Sequence, residues 1–104
     1  MRAPAPAKIN LALVVGPLGD GGKHELVTVL QRVDLADRVA VVPGERPTVR
    51  GFAGDTLVRA ALTALGERAG VPPRWTATIT KRIPLASGLG GGSSDAATAL
   101  RLAN

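Results

Sequence analysis

Two groups of residues in this sequence have the types and spacing to do chemistry. The first is Pro84-Leu85-Ala86-Ser87-Gly88-Leu89-Gly90-Gly91-Gly92-Ser93-Ser94, which follows a segment of alternating polarity and leads into the alanine-rich AATALRLAN. Strand, glycine loop and helix in that order aim unpaired backbone N–H groups and the positive end of a helix dipole at one point. Phosphate is the ligand that such a point attracts. The glycines permit positive φ and close approach of the backbone, and the Ser93 and Ser94 hydroxyls can bond phosphate oxygens or Mg²⁺. A plain Gly-Ser turn with Ser93 or Ser94 as helix cap would use the same letters, but the strand before and the small alanines after favour a phosphate cradle. Asp95 falls in the first turn of that helix, where the dipole favours it. A bound triphosphate would repel it unless it points away or faces a metal.

The second group lies at the other end of the chain. Lys8 and Asn10 are two apart in KINLALVV and share one face of a predicted strand. His24-Glu25 follows the turn-rich GPLGDGGK. On their own terms a strand-end lysine and an exposed His-Glu pair are ordinary surface residues. Gly21-Gly22-Lys23 imitates the end of a P-loop but fails as one: Gly16 is one residue too far away, His24 stands where Ser or Thr should hold Mg²⁺, and a β-like segment follows. The G-x-G-x-x-G dinucleotide fingerprint is absent from the first strand turn. With no cysteine, neither a disulfide nor a thiolate metal site can be built, and the lone His24 cannot make a zinc site alone.

The elements that must position these groups are legible in the punctuation. A strand is predicted over Lys8–Val15, a loop over Gly16–Lys23, and a second strand over Leu26–Val33. A second turn within Val33–Val39 would lead to a third strand at Val39–Val42, with one more short strand at Thr48–Gly51. A helix starts at Thr56 with Asp55 or Thr56 as N-cap, an apolar face of Leu57, Ala60, Ala61, Ala64 and Leu65, and Gly70 as its stop. Trp75–Lys81 alternates as a half-buried strand. The chain of 104 residues, 45% hydrophobic, bounds the answer at one small domain. The expected fold class is α/β in the two-layer, α+β sense: a mixed, mostly antiparallel sheet with helices packed on one face. The last helix is expected to be cut short at Asn104, leaving part of the core uncovered and the fold prone to associate.

The net charge of +5 is spread along the chain rather than gathered in a patch, and Phe52 and Trp75 are the only aromatic residues. Neither stripe nor stacking platform supports nucleic-acid binding. No apolar run has the length of a membrane span, and Met1-Arg2-Ala3-Pro4 does not open a signal peptide, so a cytoplasmic, membrane-free protein is expected.

On these residues the chain resembles the GHMP kinases, whose phosphate loop has the form P-x-x-x-G-L-G-(G-G)-S-S. The N-terminal Ala5-Pro6-Ala7-Lys8-Ile9-Asn10-Leu11, the segment Lys23-His24-Glu25-Leu26 and the triple glycine are similar to one branch of that family. That branch phosphorylates a cytidine-diphosphate-linked methylerythritol alcohol in the non-mevalonate route to isoprenoid precursors. The resemblance implies the N-terminal, ATP-binding part of the GHMP fold over residues 1–104, with ATP and Mg²⁺ as cofactors and a small cytidine diphosphate alcohol as substrate. It implies that Pro84 and Gly88, Leu89, Gly90, Gly91, Gly92, Ser93 and Ser94 bind the ATP phosphates. Lys8 would be catalytic, orienting and neutralising the reacting groups, with Asn10 beside the alcohol's hydroxyls and His24 on the cytosine. The family commonly has an aromatic residue just before that histidine, where this chain has Lys23, a side chain that could reach the diphosphate instead. The family's proton-accepting aspartate belongs beyond the loop helix, so these residues alone are expected to give negligible turnover. Another GHMP kinase of a different small alcohol, and a nucleotide-binding fragment without catalysis, are the competing readings.

Overall fold

The computed structural model describes residues 1–104, with element order β1 (Arg2–Leu18), β2 (His24–Pro43), β3 (Thr48–Arg50), α1 (Leu57–Ala69), β4 (Trp75–Thr80) and α2 (Gly91–Ala103). The four strands form one sheet in the order β1-β2-β4-β3. β1 pairs antiparallel with β2 and β2 with β4, while β3 runs parallel to β4. The sheet is therefore mixed and mostly antiparallel, as expected, and the helices complete an α+β arrangement. No helix is long and apolar enough to cross a membrane.

The first turn forms where the glycines place it. Gly22 takes φ +75°, its N–H bonds the Gly19 carbonyl at 3.1 Å, and the Gly19 N–H bonds the Lys23 carbonyl at 2.8 Å. The second turn expected within Val33–Val39 does not exist. β2 runs unbroken from His24 to Pro43, because Asp34-Leu35-Ala36-Asp37 holds no glycine or proline and β1 pairs with β2 on both sides of an irregularity at Val33–Leu35, Lys8 opposing Arg32 and Pro6 opposing Ala36. The strain of so long a pairing is taken up by register shifts, one of them between Pro6 and Lys8.

α1 is held at its start by Asp55, whose carboxylate accepts the N–H groups of Val58 and Arg59 at 3.2 and 3.1 Å. Gly70 ends it at φ +70°, and the Val71 N–H closes on the Gly66 carbonyl at 3.0 Å. Its buried stripe is Val58, Leu62 and Gly66. The stripe expected from Leu57, Ala60 and Ala64 is thus rotated. The cause is local: Gly66 lets the chain return closely at Val71 and Pro73, and Leu57 turns instead toward Gly92 in the loop helix.

One cluster joins the layers: Ala5, Val39, Val41, Trp75, Ala77 and Ile79 from the sheet, Val58 and Leu62 from α1, and Ala99 from α2. Val39 and Ile79 stand opposite each other in the β2/β4 ladder and are both closed to water, each contributing about 1.5–3 kcal/mol. The Trp75 indole N–H is buried in this cluster with no acceptor. Uncovered apolar surface lies beside the end of α2, in a cleft of about 350 Å³ lined by Leu62, Leu65, Trp75, Leu102 and Ala103, and more of it on the β1/β2 ribbon beyond Lys8. There Leu11, Leu13, Val14 and Val15 of β1 and Leu26, Val27, Val29 and Leu30 of β2 are all exposed.

Candidate functional site

The segment between β4 and α2 adopts the strand, loop and helix order read from the sequence. Gly88 and Gly90 take φ +75° and +72°, and Ala86 shares the left-handed region at φ +53°. α2 starts at Gly91 with Gly90 as its cap residue, so neither Ser93 nor Ser94 caps the helix. The first helical bond runs from the Ser94 N–H to the Gly90 carbonyl at 3.0 Å. The Gly91, Gly92 and Ser93 N–H groups thus precede the helix's own ladder and point out of its positive end. Ser87 Oγ accepts the Leu89 N–H at 3.3 Å and steadies the crest of the loop. Beside it is a cleft of about 300 Å³ lined by Phe52, Leu57, Lys81, Pro84 and the loop residues as far as Ser93.

Lys8 reaches this loop from β1. Its Nζ donates to the Gly88 carbonyl at 2.6 Å and to Asn10 Oδ1 at 3.1 Å, and its backbone N–H bonds the Leu89 carbonyl at 2.9 Å. Gly90 is needed for this contact, since a Cβ there would sit 3.0 Å from Lys8 Cε. Lys8, Asn10 and the glycine loop, far apart in sequence, form one surface. His24 does not join them. It stands opposite Leu18 at the far end of the β1/β2 ribbon, with Nδ1 2.9 Å from the Gly16 carbonyl. That contact fixes the proton on Nδ1 and leaves Nε2 free toward solvent.

Beneath the loop is a cluster that the sequence reading missed. Asp37 from β2 is fully buried; its Oδ1 accepts the N–H groups of Arg82 and Ile83 at 2.6 and 2.8 Å. Its Oδ2 accepts Lys81 Nζ at 2.6 Å, and Lys81 also bridges to Asp95 Oδ2 at 3.0 Å. Lys81 further lies 5.5 Å from the centre of the Phe52 ring. Burial alone would raise the Asp37 pKa, but the hydrogen bonds from Ile83, Lys81 and Arg82 outweigh it and hold the carboxyl below its ordinary value. Burial first, and then the neighbouring Asp37, push Asp95 up to about 7 against the pull of Lys81. The two carboxylates in turn raise Lys81 in spite of its burial. Asp95 therefore points into the interior, toward Lys81 and Asp37, rather than out of the helix start. The one sequence signal for this cluster was Asp37 itself, a charge at an inward position of a β-prone run.

No group of three His, Cys, Asp or Glu residues gathers to hold a metal. Ser93, exposed, and Ser94, partly buried, place two hydroxyls in the first turn of α2.

Comparison with known proteins agrees with this geometry. Residues 56–104, from the cap of α1 to the end of the chain, match the GHMP kinases N terminal domain. That match takes in the second half of the chain, from α1 through the glycine loop to α2. The chain is 44% identical to the 4-diphosphocytidyl-2-C-methyl-D-erythritol kinase of Kineococcus radiotolerans, over 96% of its own length and 34% of the relative's. It is 44% identical to the kinase of the same name from Anaeromyxobacter dehalogenans, over 93% of its length and 34% of that protein's. A crystal structure of 4-(cytidine 5'-diphospho)-2C-methyl-D-erythritol kinase superposes with a TM-score of 0.83 at 40% identity, covering 97% of this chain and 38% of that one. The chain thus spans about a third of the length of the curated relatives it matches.

Proposed function

We propose that residues 1–104 form the N-terminal, nucleotide-phosphate-binding part of a kinase that transfers the γ-phosphoryl group of ATP to 4-diphosphocytidyl-2-C-methyl-D-erythritol. That reaction belongs to non-mevalonate isoprenoid precursor synthesis. The observation that carries this reading is the 2.6 Å contact between Lys8 and Gly88, which sets a strand-borne cation against the phosphate loop. The names of the similar proteins supply the substrate.

In phosphoryl transfer most of the catalysis is positioning and charge stabilisation. The N–H groups of Gly91, Gly92 and Ser93, with the α2 dipole behind them, hold the phosphates. The positive φ of Gly88 and Gly90 brings the backbone close to the anion. Lys8 releases the Gly88 carbonyl or shares it, and faces the reacting oxygens, while Asn10 orients the alcohol. His24, with Nε2 open, is the acceptor for an N–H on the cytosine edge. Mg²⁺ would arrive with the nucleotide and complete its shell from phosphate oxygens, water and a Ser93 or Ser94 hydroxyl, in keeping with its preference for few protein ligands. The apolar β1/β2 ribbon is surface on which a further part of a longer kinase would seat.

A second reading, nucleotide binding without transfer by these residues alone, is favoured by one observation. The two carboxylates under the loop, Asp37 and Asp95, are both buried and tied to Lys81, so neither reaches the surface where a hydroxyl's proton would be taken. Calorimetric titration of the 104-residue chain with Mg²⁺–ATP tests the first claim, and a binding isotherm is expected. Absence of binding at millimolar nucleotide would sink the phosphate-site assignment. Phosphorylation assays with the cytidine diphosphate alcohol then separate the two readings: the chain alone is expected to give negligible transfer.

A further inference from the structure

We propose that Asp37 is the positioning residue of the phosphate loop, tying both of its ends to the centre of the sheet through one carboxylate. The inference rests on the loop being a phosphate site.

Asp37 stands where the β2/β4 ladder runs out. The ladder's last pair is Arg38 with Thr80, and from Lys81 onward the chain leaves the sheet to become the loop. There the Asp37 carboxylate takes over from a neighbouring strand. Oδ1 receives the N–H groups of Arg82 and Ile83, the two residues before Pro84. Pro84 has no N–H of its own, so these two donors are the last fixed points before the glycines. Oδ2 receives Lys81, whose second bond reaches Asp95 in the first turn of α2. Lys81 also packs against the helix start, since a Cβ on Gly91 would lie 3.2 Å from its Nζ. Entry and exit of the loop are therefore referred to one fully buried side chain.

The arrangement answers a need created by the loop's composition. A site made of backbone N–H groups works only if those groups are held within about half an ångström of the right place. The stretch Gly88–Gly92 contains four glycines, whose backbone freedom is the largest of any residue. Freezing that freedom when the ligand binds would subtract from affinity, whereas anchoring it beforehand does not. A buried carboxylate that served the fold alone would affect stability and leave the affinity of the folded chain unchanged. The two roles are separable.

The test is calorimetric titration of inorganic tripolyphosphate into the wild-type chain, Asp37→Asn, Asp37→Ala and Val39→Ala, each shown to be folded at the temperature used. Val39 lies two residues along the same inward face, contacts neither loop nor cleft, and supplies a control of comparable stability loss. Asp37→Ala is expected to weaken binding at least tenfold. Asp37→Asn keeps an acceptor on one side but turns an N–H₂ toward the other set of donors, and is expected to weaken it at least threefold. Val39→Ala should bind within twofold of wild type. Amide exchange at Gly88–Ser94 should quicken in Asp37→Asn and not in Val39→Ala. If Asp37→Ala does not fold, Asp37→Asn decides the matter. A folded Asp37→Asn that binds within twofold of wild type, with unchanged loop exchange, overturns the inference. A wild-type chain that fails to bind tripolyphosphate overturns the phosphate-site reading itself, and this inference with it.

Discussion

Lys8 Nζ lies 2.6 Å from the carbonyl of Gly88, eighty residues further along the chain. The contact spends one of three ammonium donors on the loop and a second on Asn10, leaving charge to face an anion. Because the side chain is exposed, its removal should cost the fold little, under about 1 kcal/mol. Lys8→Met is therefore expected to melt within about 3 °C of wild type while weakening ATP binding roughly tenfold, the scale of one lost charge-assisted hydrogen bond. Thermal melts and calorimetry on the same preparation check both halves. Unchanged ATP affinity would remove Lys8 from the site.

Gly90 is fixed by two independent constraints, φ +72° and the Lys8 side chain 3.0 Å from where a Cβ would stand. Gly90→Ala should cost about 1–2 kcal/mol from the left-handed backbone alone and push Lys8 off Gly88. The expected result is a lower melting temperature together with ATP affinity no better than that of Lys8→Met. Denaturant unfolding and calorimetry would show it, and a variant as stable as wild type would mean that the loop is free to take another conformation.

The glycine loop was legible because its geometry is local: glycines for positive φ, a strand before and a helix after, all contiguous in sequence. The mixed sheet was legible from alternation and turn residues. The continuous β2 was not, because Asp34 and Asp37 look like turn formers, whereas Asp37 is an inward charge satisfied by residues 44 to 46 positions away. Pairing over such separations leaves no trace in a local window. The α1 face was misread for a related reason. Leu57 is the more hydrophobic residue, but the close return at Val71 and Pro73 demanded Gly66 inward and so chose Val58 and Leu62. Lys8 and Asn10 were found as a pair on one strand; that they meet Gly88 follows only from the tertiary fold.

Ala86 is the one residue other than glycine with positive φ, and it has no side-chain hydrogen bond to compensate. Alanine in the left-handed region costs about 1–2 kcal/mol, and glycine gives back about 0.4–1 kcal/mol through the freedom of the unfolded chain. Ala86→Gly is therefore expected to stabilise the chain by up to about 1 kcal/mol, read as a higher urea midpoint at unchanged slope. A lower midpoint would show that Ala86 makes a favourable contact that offsets its backbone strain.

The buried cluster gives the chain a pH dependence whose sign can be worked out. Asp95 binds its proton with a pKa of about 7 when folded, against 3.8 as the reference. Between those values the native chain holds a proton that the unfolded chain has released, so stability must fall as pH rises from about 4 to about 7 and level off above. At 1.36 kcal/mol per pH unit the fall is bounded by about 4 kcal/mol. Asp37 acts in the opposite direction and lower down. Its pKa is depressed below 3.8, so its contribution is present above that value and is lost as pH falls through the folded pKa. Lys81, raised above 10.5, contributes fully through neutrality and loses its effect only in alkali. Stability is thus expected to peak on the acid side of neutrality, near pH 4–5. In Asp95→Asn the decline toward pH 7 should vanish, and at pH 8 the variant should be at least as stable as wild type, because an amide can accept from Lys81 without a second negative charge beside Asp37. Urea unfolding of both proteins from pH 4.5 to 8 measures this. A wild-type midpoint flat across that range would mean that Lys81 neutralises both carboxylates fully and that Asp95 titrates as an ordinary carboxyl.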